Sequence, residues 1–150
     1  MRLMQPNNHR FSVSAVWHSW QSLPVWVQIW VGGILVPANA AAFFMTHTPM
    51  GKAAAIAALF VILTNVPIML YEGGMSRMMA IPHLVAWIPL SIYIVARLLV
   101  FLSSSSMKKA ELIFAIIILV VNGISLIFDT VDTIKWWRGK RDIPGHAVPD

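Results

Sequence analysis

Four apolar runs of about 20 residues each dominate this sequence and leave few folds open to it. They cover roughly residues 25–44, 52–71, 82–102 and 110–134. A helix needs about 20 predominantly apolar residues to cross the hydrocarbon core of a bilayer, and in lipid every backbone polar group must be bonded within the protein. We therefore predict an all-α membrane protein, a four-helix transmembrane bundle that forms a single domain over 1–150.

The composition agrees with lipid as the main solvent and partner of this chain. Of its 150 residues, 58% are hydrophobic and 11% are charged, and the mean hydropathy is +0.72. Soluble domains carry about 25% charged residues. The chain has no cysteine, which excludes disulfides, thiolate zinc sites and iron–sulfur clusters.

The segments that flank the apolar runs are short. Residues 11–23 place apolar and polar side chains at helical spacing and include two tryptophans, which predicts an amphipathic helix lying in the membrane interface. Residues 135–150 form a polar tail with too little apolar surface to fold alone. Pro37 lies inside the first run, where we expect a kink. Ala38-Asn39-Ala40 resembles a signal-peptidase site, but the apolar run continues beyond it, which favours an uncleaved span.

Basic residues predict the orientation in the membrane. With four spans, both termini share one side with the connection between the second and third spans. That side holds seven Lys and Arg residues, and the other side holds three, namely Lys52, Lys108 and Lys109. All seven tryptophans fall in the half with more positive charge. The positive-inside rule therefore places both termini in the cytoplasm, and we expect a bacterial inner (cytoplasmic) membrane.

Four of the basic residues cluster within 135–141, directly after the fourth run. A basic cluster in this position is typical of a cytoplasmic membrane flank. We therefore expect no nucleic-acid partner, despite the formal charge of +5.

Ionisable side chains are sparse, and five of them fall at one end of the predicted bundle. Glu72, Arg77 and His83 surround the connection between the second and third runs, while Asp129 and Asp132 lie three residues apart near the end of the fourth. Insertion scales assign a penalty of about 2.5–3.5 kcal/mol to an ionisable group at the centre of a membrane helix, so each needs a reason.

Two interpretations of this cluster stay open. In the first it is a site that binds a cation or relays protons. In the second it is a polar latch that fixes the helix ends, with the two aspartates salt-bridged to Arg77, Lys135 or Arg138. We favour the latch because such contacts are commoner than sites.

Asparagines lie inside three different runs, at Asn39, Asn65 and Asn122. A carboxamide can hydrogen-bond across helices, typically for well under 2 kcal/mol. We expect these three residues to make interhelical polar contacts.

A haem or metal site is a further alternative. His83 together with His18 could ligate a haem, although His18 lies on the predicted surface helix. The nine methionines lack a repeated Met-x-x-Met spacing, and methionine is a common apolar filler. No Gly-x-Ser-x-Gly motif, phosphate-binding loop, zinc signature or nucleotide fingerprint occurs. We predict no catalytic residue and no cofactor.

Three functions compete on these observations. The favoured hypothesis is a small non-catalytic membrane subunit that associates with itself or with a larger membrane complex. The second is a transport component for protons, cations or a small solute, which would use Asp129, Asp132, Glu72 and His83. The third is a haem- or metal-binding redox subunit. Short connections and the lack of a predicted soluble domain favour the first, and no motif favours an enzyme.

Overall fold

The structure is a computed structural model that describes residues 12–104 and 107–146, and within these ranges it contains helices and no strand. The helices are α1 (Val13–Gln21), α2 (Val25–Phe44), α3 (Pro49–Glu72), α4 (Ala80–Ser104) and α5 (Lys109–Trp137), with a short 3₁₀ turn (Arg77–Met79) before α4. Each of α2 to α5 is long and apolar enough to cross a membrane. The predicted fold class is confirmed.

Helix α3 begins earlier than the apolar run predicts because a cap, and not hydropathy, decides where it starts. The hydroxyl of Thr48 accepts a hydrogen bond from the Gly51 N–H at 3.0 Å, and Pro49 occupies the first turn, where its missing N–H is not needed. At the other end Gly73 has φ +72°, a left-handed conformation that glycine adopts without strain.

Helices α4 and α5 also extend beyond their predicted spans. Helix α4 begins at Ala80 and runs to Ser104, so Pro82 still falls in its first turn. Helix α5 continues to Trp137. Residues 135–137, predicted as the start of the tail, are therefore the last residues of a helix.

Helix α2 departs from regular α-helical geometry just before its proline. Ile29–Leu35 form a π-helix, and a short α-helical segment (Val36–Ala40) and a 3₁₀ turn (Ala41–Phe44) follow. Pro37 lacks an N–H, so a carbonyl of the preceding turn loses its usual partner. A π segment is one of the known ways in which a helix absorbs such a defect.

The helices sort their faces by side-chain size and polarity, since core and lipid are both apolar. Helices α3 and α5 contact each other, and each also contacts α2 and α4. Helix α3 directs small residues such as Ala54 and Ala58 inward and large ones such as Ile56 and Leu63 outward. Buried residues recur every three or four positions along α5 and so form one face of the helix. They include Phe114, Ala115, Ile118, Val121, Asn122, Ser125 and Asp129.

One end of the bundle is closed by three segments that contact one another: α1, residues 73–79 and the tail residues 138–146. We call it the connector end. Ser19 of α1 is fully buried there, and its hydroxyl accepts a hydrogen bond from the Met75 N–H at 2.9 Å. In the tail, His146 Nε2 donates to the Gly73 carbonyl at 3.1 Å. Residues 138–146 of the tail are thus held by contacts with α1 and with residues 73–79.

Candidate functional site

His83 is the centre of a hydrogen-bonded chain that links three helices at the connector end. Its Nδ1 lies 3.1 Å from Asp129 Oδ1 on α5, and its Nε2 lies 2.9 Å from Asn65 Nδ2 on α3. Ser125, one turn before Asp129, donates to Asp129 Oδ2 at 3.4 Å. An amide nitrogen only donates, so Nε2 accepts and Nδ1 donates its proton to the carboxylate. This arrangement assigns the Nδ1–H tautomer to His83.

Trp87 covers one face of the histidine ring. It lies one turn after His83 on α4, with the ring centroids 4.2 Å apart and the planes inclined by 10°. Its side chain is buried, with 2% of its surface exposed. The stacking and the two hydrogen bonds together leave the imidazole little freedom to rotate.

Arg77 is the centre of a second, more exposed group of contacts. Its Nε lies 3.4 Å from Asp132 Oδ1 on α5, and its Nη1 forms an ion pair with Asp142 and donates to the Lys140 carbonyl at 3.2 Å. Arg77 therefore joins the 3₁₀ turn to α5 and to the tail. Its hydrogen bond to the Asp142 carboxylate lowers the pKa of that group below its ordinary value.

The predicted cluster is thus resolved into two pairs with different exposure. The side chains of His83 and Asp129 are 17% and 12% exposed, whereas that of Asp132 is 43% exposed. Glu72, the last residue of α3, is half-buried, and within the described ranges it forms no hydrogen bond or ion pair with the other four. The structure thus brings four of the five residues together as two pairs, Arg77 with Asp132 and His83 with Asp129, and Glu72 belongs to neither pair.

The asparagines bridge helices at two places. Asn39 Nδ2 donates to Asn122 Oδ1 at 2.8 Å, and Asn122 Nδ2 donates back to Asn39 Oδ1 at 3.1 Å, which joins α2 to α5. Asn39 also donates to the Leu35 carbonyl at 3.0 Å. Asn65 instead joins α3 to α4 through His83. Asn122 lies seven residues before Asp129, about 10 Å further along the helix from the connector end.

The opposite end of the bundle holds a polar contact that the sequence reasoning missed. Glu111 is buried, and its Oε1 accepts a hydrogen bond from the Met50 N–H at 3.3 Å and lies 3.9 Å from Arg97 Nη2. A carboxylate here compensates the free N–H groups at the start of α3. The sequence feature that could have revealed this contact is a single acidic residue, Glu111, at the start of the fourth apolar run.

Ser125 and Trp87 were also missed, although their spacing could have revealed them. Ser125 precedes Asp129 by four residues and follows Asn122 by three, so the three polar residues lie on one face of α5. Trp87 follows His83 by four residues and therefore lies over the same face of α4.

Three buried polar atoms without a partner in the protein belong to residues in or next to the His83 contacts. Across the described residues these atoms are Trp30 Nε1, Asn65 Oδ1, Trp87 Nε1, Arg97 Nε and Thr133 Oγ1. One belongs to the residue bonded to His83, another to the residue stacked on it, and a third to Thr133, one turn beyond Asp129. Buried polar atoms in proteins almost always find a partner in protein or ordered water. The hydrogen-bonding capacity around His83 therefore exceeds what the protein groups use.

The contacts of His83 and His18 do not favour the haem alternative. Both ring nitrogens of His83 are hydrogen-bonded, so a metal at Nε2 would have to displace the Asn65 carboxamide. His18 packs against Gly145 of the tail. Within residues 12–104 and 107–146, no three His, Asp or Glu side chains converge in a way that could hold a metal ion.

No protein family, curated protein or solved structure matches this chain.

Proposed function

We propose that this chain is a non-catalytic component of a bacterial cytoplasmic membrane that associates with itself or with a larger membrane complex. The observation that carries the proposal is that four of the five residues in the predicted cluster form pairs that join segments of the chain. Arg77 meets Asp132 and Asp142, and His83 meets Asp129. A ligand site directs polar groups into an accessible cavity, whereas these groups join helices to one another.

The pairs act as a latch because each one connects different segments. His83 fastens α4 to α5 directly and to α3 through Asn65, and Arg77 fastens the 3₁₀ turn to α5 and the tail. Removing one partner of such a pair leaves the other buried without compensation. The latch therefore fixes the relative positions of three of the four long helices.

The proposed orientation places the connector end in the cytoplasm. Support comes from the seven basic residues on that side against three on the other, by the positive-inside rule. A fluorescent protein that folds only in the cytoplasm, fused after Asp150, should be bright. A dark fusion whose membrane insertion is intact would contradict this orientation.

The latch is tested by Asp129→Asn, which keeps the side-chain shape and removes the charge. We expect a lower midpoint of thermal unfolding in mild detergent and no change in the proton permeability of liposomes that contain the protein. Asp132→Asn is the matched control, since its side chain is more exposed and should matter less. Reduced proton flux with unchanged thermal stability would contradict the latch.

Association is tested on the unmodified chain. Extraction in mild detergent, followed by light scattering and mass spectrometry of copurified proteins, should give either a multimer of this chain or a stable partner. A monodisperse monomer without partners at native expression would contradict this part of the proposal.

A second candidate is a transport component for protons, supported by the unpartnered atoms around His83. The Asn65 carboxamide now directs Nδ2 to His83 Nε2 and leaves its buried Oδ1 without a partner. Rotating that amide by half a turn would present Oδ1 to a protonated Nε2–H. The ring could then hold a proton on each nitrogen while keeping both hydrogen bonds.

Proton flux into liposomes separates the two candidates. If the chain conducts protons, liposomes with the unmodified protein should acidify faster than empty ones, and His83→Gln should abolish the difference. Equal rates for empty and protein-containing liposomes would eliminate this candidate and leave the latch unaffected.

A further inference from the structure

The last turn of α5 and the residues that follow it carry four cations. They are Lys135, Arg138, Lys140 and Arg141, which we call the basic turn. All four are exposed, and in the described part of the chain none forms a salt bridge. The nearest acid in sequence, Asp142, is engaged by Arg77. Within the described residues the positive charge of the basic turn is therefore largely uncompensated, apart from the interaction of Lys140 with the Asp142 carboxylate.

Backbone hydrogen bonds hold the basic turn in a defined shape. At the end of α5 the Gly139 N–H donates to the Trp136 carbonyl and the Lys140 N–H donates to the Lys135 carbonyl, each at 3.0 Å. Gly139 has φ +86°, as expected where a helix ends in this way. Arg77 then secures the far side by donating to the Lys140 carbonyl. The four cations thus project from a folded turn that is anchored on both sides.

Aromatic side chains place the basic turn at the level of lipid headgroups. Trp136 and Trp137 lie between Lys135 and Arg138, and Trp137 is 81% exposed. The guanidinium of Arg141 lies 4.7 Å from the centroid of the Trp136 ring. Tryptophan is enriched where hydrocarbon meets headgroups, and basic residues next to it reach lipid phosphates. The apolar run of α5 ends at the same point, which supports this depth.

We propose that the basic turn is a binding site for the phosphate-bearing headgroup of an acidic phospholipid. Charge complementarity selects this partner, because guanidinium groups bind phosphate oxygens in pairs and a basic segment beside a membrane helix attracts acidic lipid. Trp137 packs beside the glycerol region of the same lipid. The site adds a ligand to the connector end and does not depend on whether the His83–Asp129 pair is a latch.

The opposite end of the bundle provides an internal control. That end carries three exposed lysines, which are Lys52 of α3, Lys108 just before α5 and Lys109 at its start. None of the seven tryptophans is predicted to lie at that end. One variant carries Lys135→Gln, Arg138→Gln and Arg141→Gln, and the control carries Lys52→Gln, Lys108→Gln and Lys109→Gln. Each variant loses three positive charges, and the two sets of charges lie at opposite ends of the bundle.

The experiment titrates delipidated full-length protein in a neutral detergent and counts bound lipids by native mass spectrometry. The probes are phosphatidylglycerol, phosphatidylcholine and inorganic phosphate. We expect phosphatidylglycerol to bind the unmodified chain and the control variant equally well. In the basic-turn variant its apparent Kd should rise roughly 100-fold, from about fivefold for each cation near acidic lipid.

A second variant guards against misfolding of the first. Arg138→Lys with Arg141→Lys keeps both charges and removes the paired hydrogen bonds, so it should bind the acidic lipid with an intermediate Kd. Equal losses in the basic-turn and control variants would overturn the proposal, as would equal binding of phosphatidylcholine. Competition by millimolar inorganic phosphate would also overturn it, because the site would then be one for a free anion.

Discussion

Two polar pairs hold this bundle together, and they differ in chemistry as they differ in depth. Asn39 and Asn122 exchange two amide hydrogen bonds in the middle of the bundle, whereas His83 and Asp129 pair near the connector end. A neutral amide loses less solvation free energy in hydrocarbon than an ionisable group does. The deep position therefore has groups that never titrate, and the ionisable groups lie where the route to water is short.

The difference also separates what each pair can do beyond joining helices. The asparagine pair uses its donors and acceptors on itself and on the Leu35 carbonyl. The histidine has a proton to exchange, a carboxylate that can receive it, and an unpartnered amide oxygen on the neighbouring Asn65. Of the two pairs, the one near the connector end therefore contains ionisable groups and the asparagine pair does not.

The largest loss of stability should follow from His83→Ala, which removes the histidine of the His83–Asp129 pair and leaves the asparagine pair intact. The change removes two interhelical hydrogen bonds and the surface stacked on Trp87, and it leaves Asp129 buried with only Ser125 as a side-chain donor. We expect a loss of about 2–4 kcal/mol in the free energy of unfolding. Thermal or denaturant unfolding in detergent, followed by circular dichroism, measures it. A loss below that of Asp132→Asn would show that the pair does not hold the helices.

The asparagine pair should give a smaller effect with a different pattern of additivity. Asn39→Leu or Asn122→Leu alone leaves a buried carboxamide unpaired, for an expected loss of about 1–2 kcal/mol. The double variant replaces both polar groups by apolar ones and should lose less than the sum of the two single changes. A double-variant cycle on unfolding free energies measures the coupling. Strict additivity would mean that the two side chains act independently.

The sequence was enough to predict the four long helices and most members of the connector-end cluster, because apolar length and the position of charges are visible in it. It did not predict that Glu72 makes no contact with the other four residues. When core and lipid are both apolar, the sequence pattern does not show which face of a helix points to the core. Asp129 could be assigned inward with more confidence, since Asn122 and Ser125 lie on its face. The π segment of α2 and the docking of the tail depend on contacts between distant residues.

Gly74→Ala should loosen the segments that close the connector end and leave the asparagine pair unchanged. A Cβ at position 74 would lie 2.6 Å from Ser19 Oγ and from Ile143 Cγ2, so α1 or the tail must move. We expect about 1 kcal/mol of destabilisation and faster amide hydrogen exchange in residues 138–146.

Gly123→Ala is the matched control for Gly74→Ala. A Cβ there meets nothing within 4 Å, and alanine is the better helix former. It should leave exchange in the tail unchanged and slightly raise the thermal stability. Equal exchange in the tail for both variants would contradict the close packing of Gly74 on Ser19.

The smallest effect concerns pH and arises at the exposed ion pair between Arg77 and Asp142. The hydrogen bond from Arg77 lowers the pKa of Asp142 below its ordinary value of 3.8. A carboxylate with a lowered pKa stabilises the folded state above its unfolded pKa, and that contribution is lost as the pH falls through the lower, folded value. Amide exchange of residues 138–146, corrected for its intrinsic pH dependence, should therefore increase only below about pH 4.

The region around Asn39 and Asn122, which lacks a titratable group in its pair, should show no such change. Asp142→Asn should remove the pH dependence in the tail, and exchange that stays constant below pH 4 in the unmodified chain would contradict a role for this ion pair.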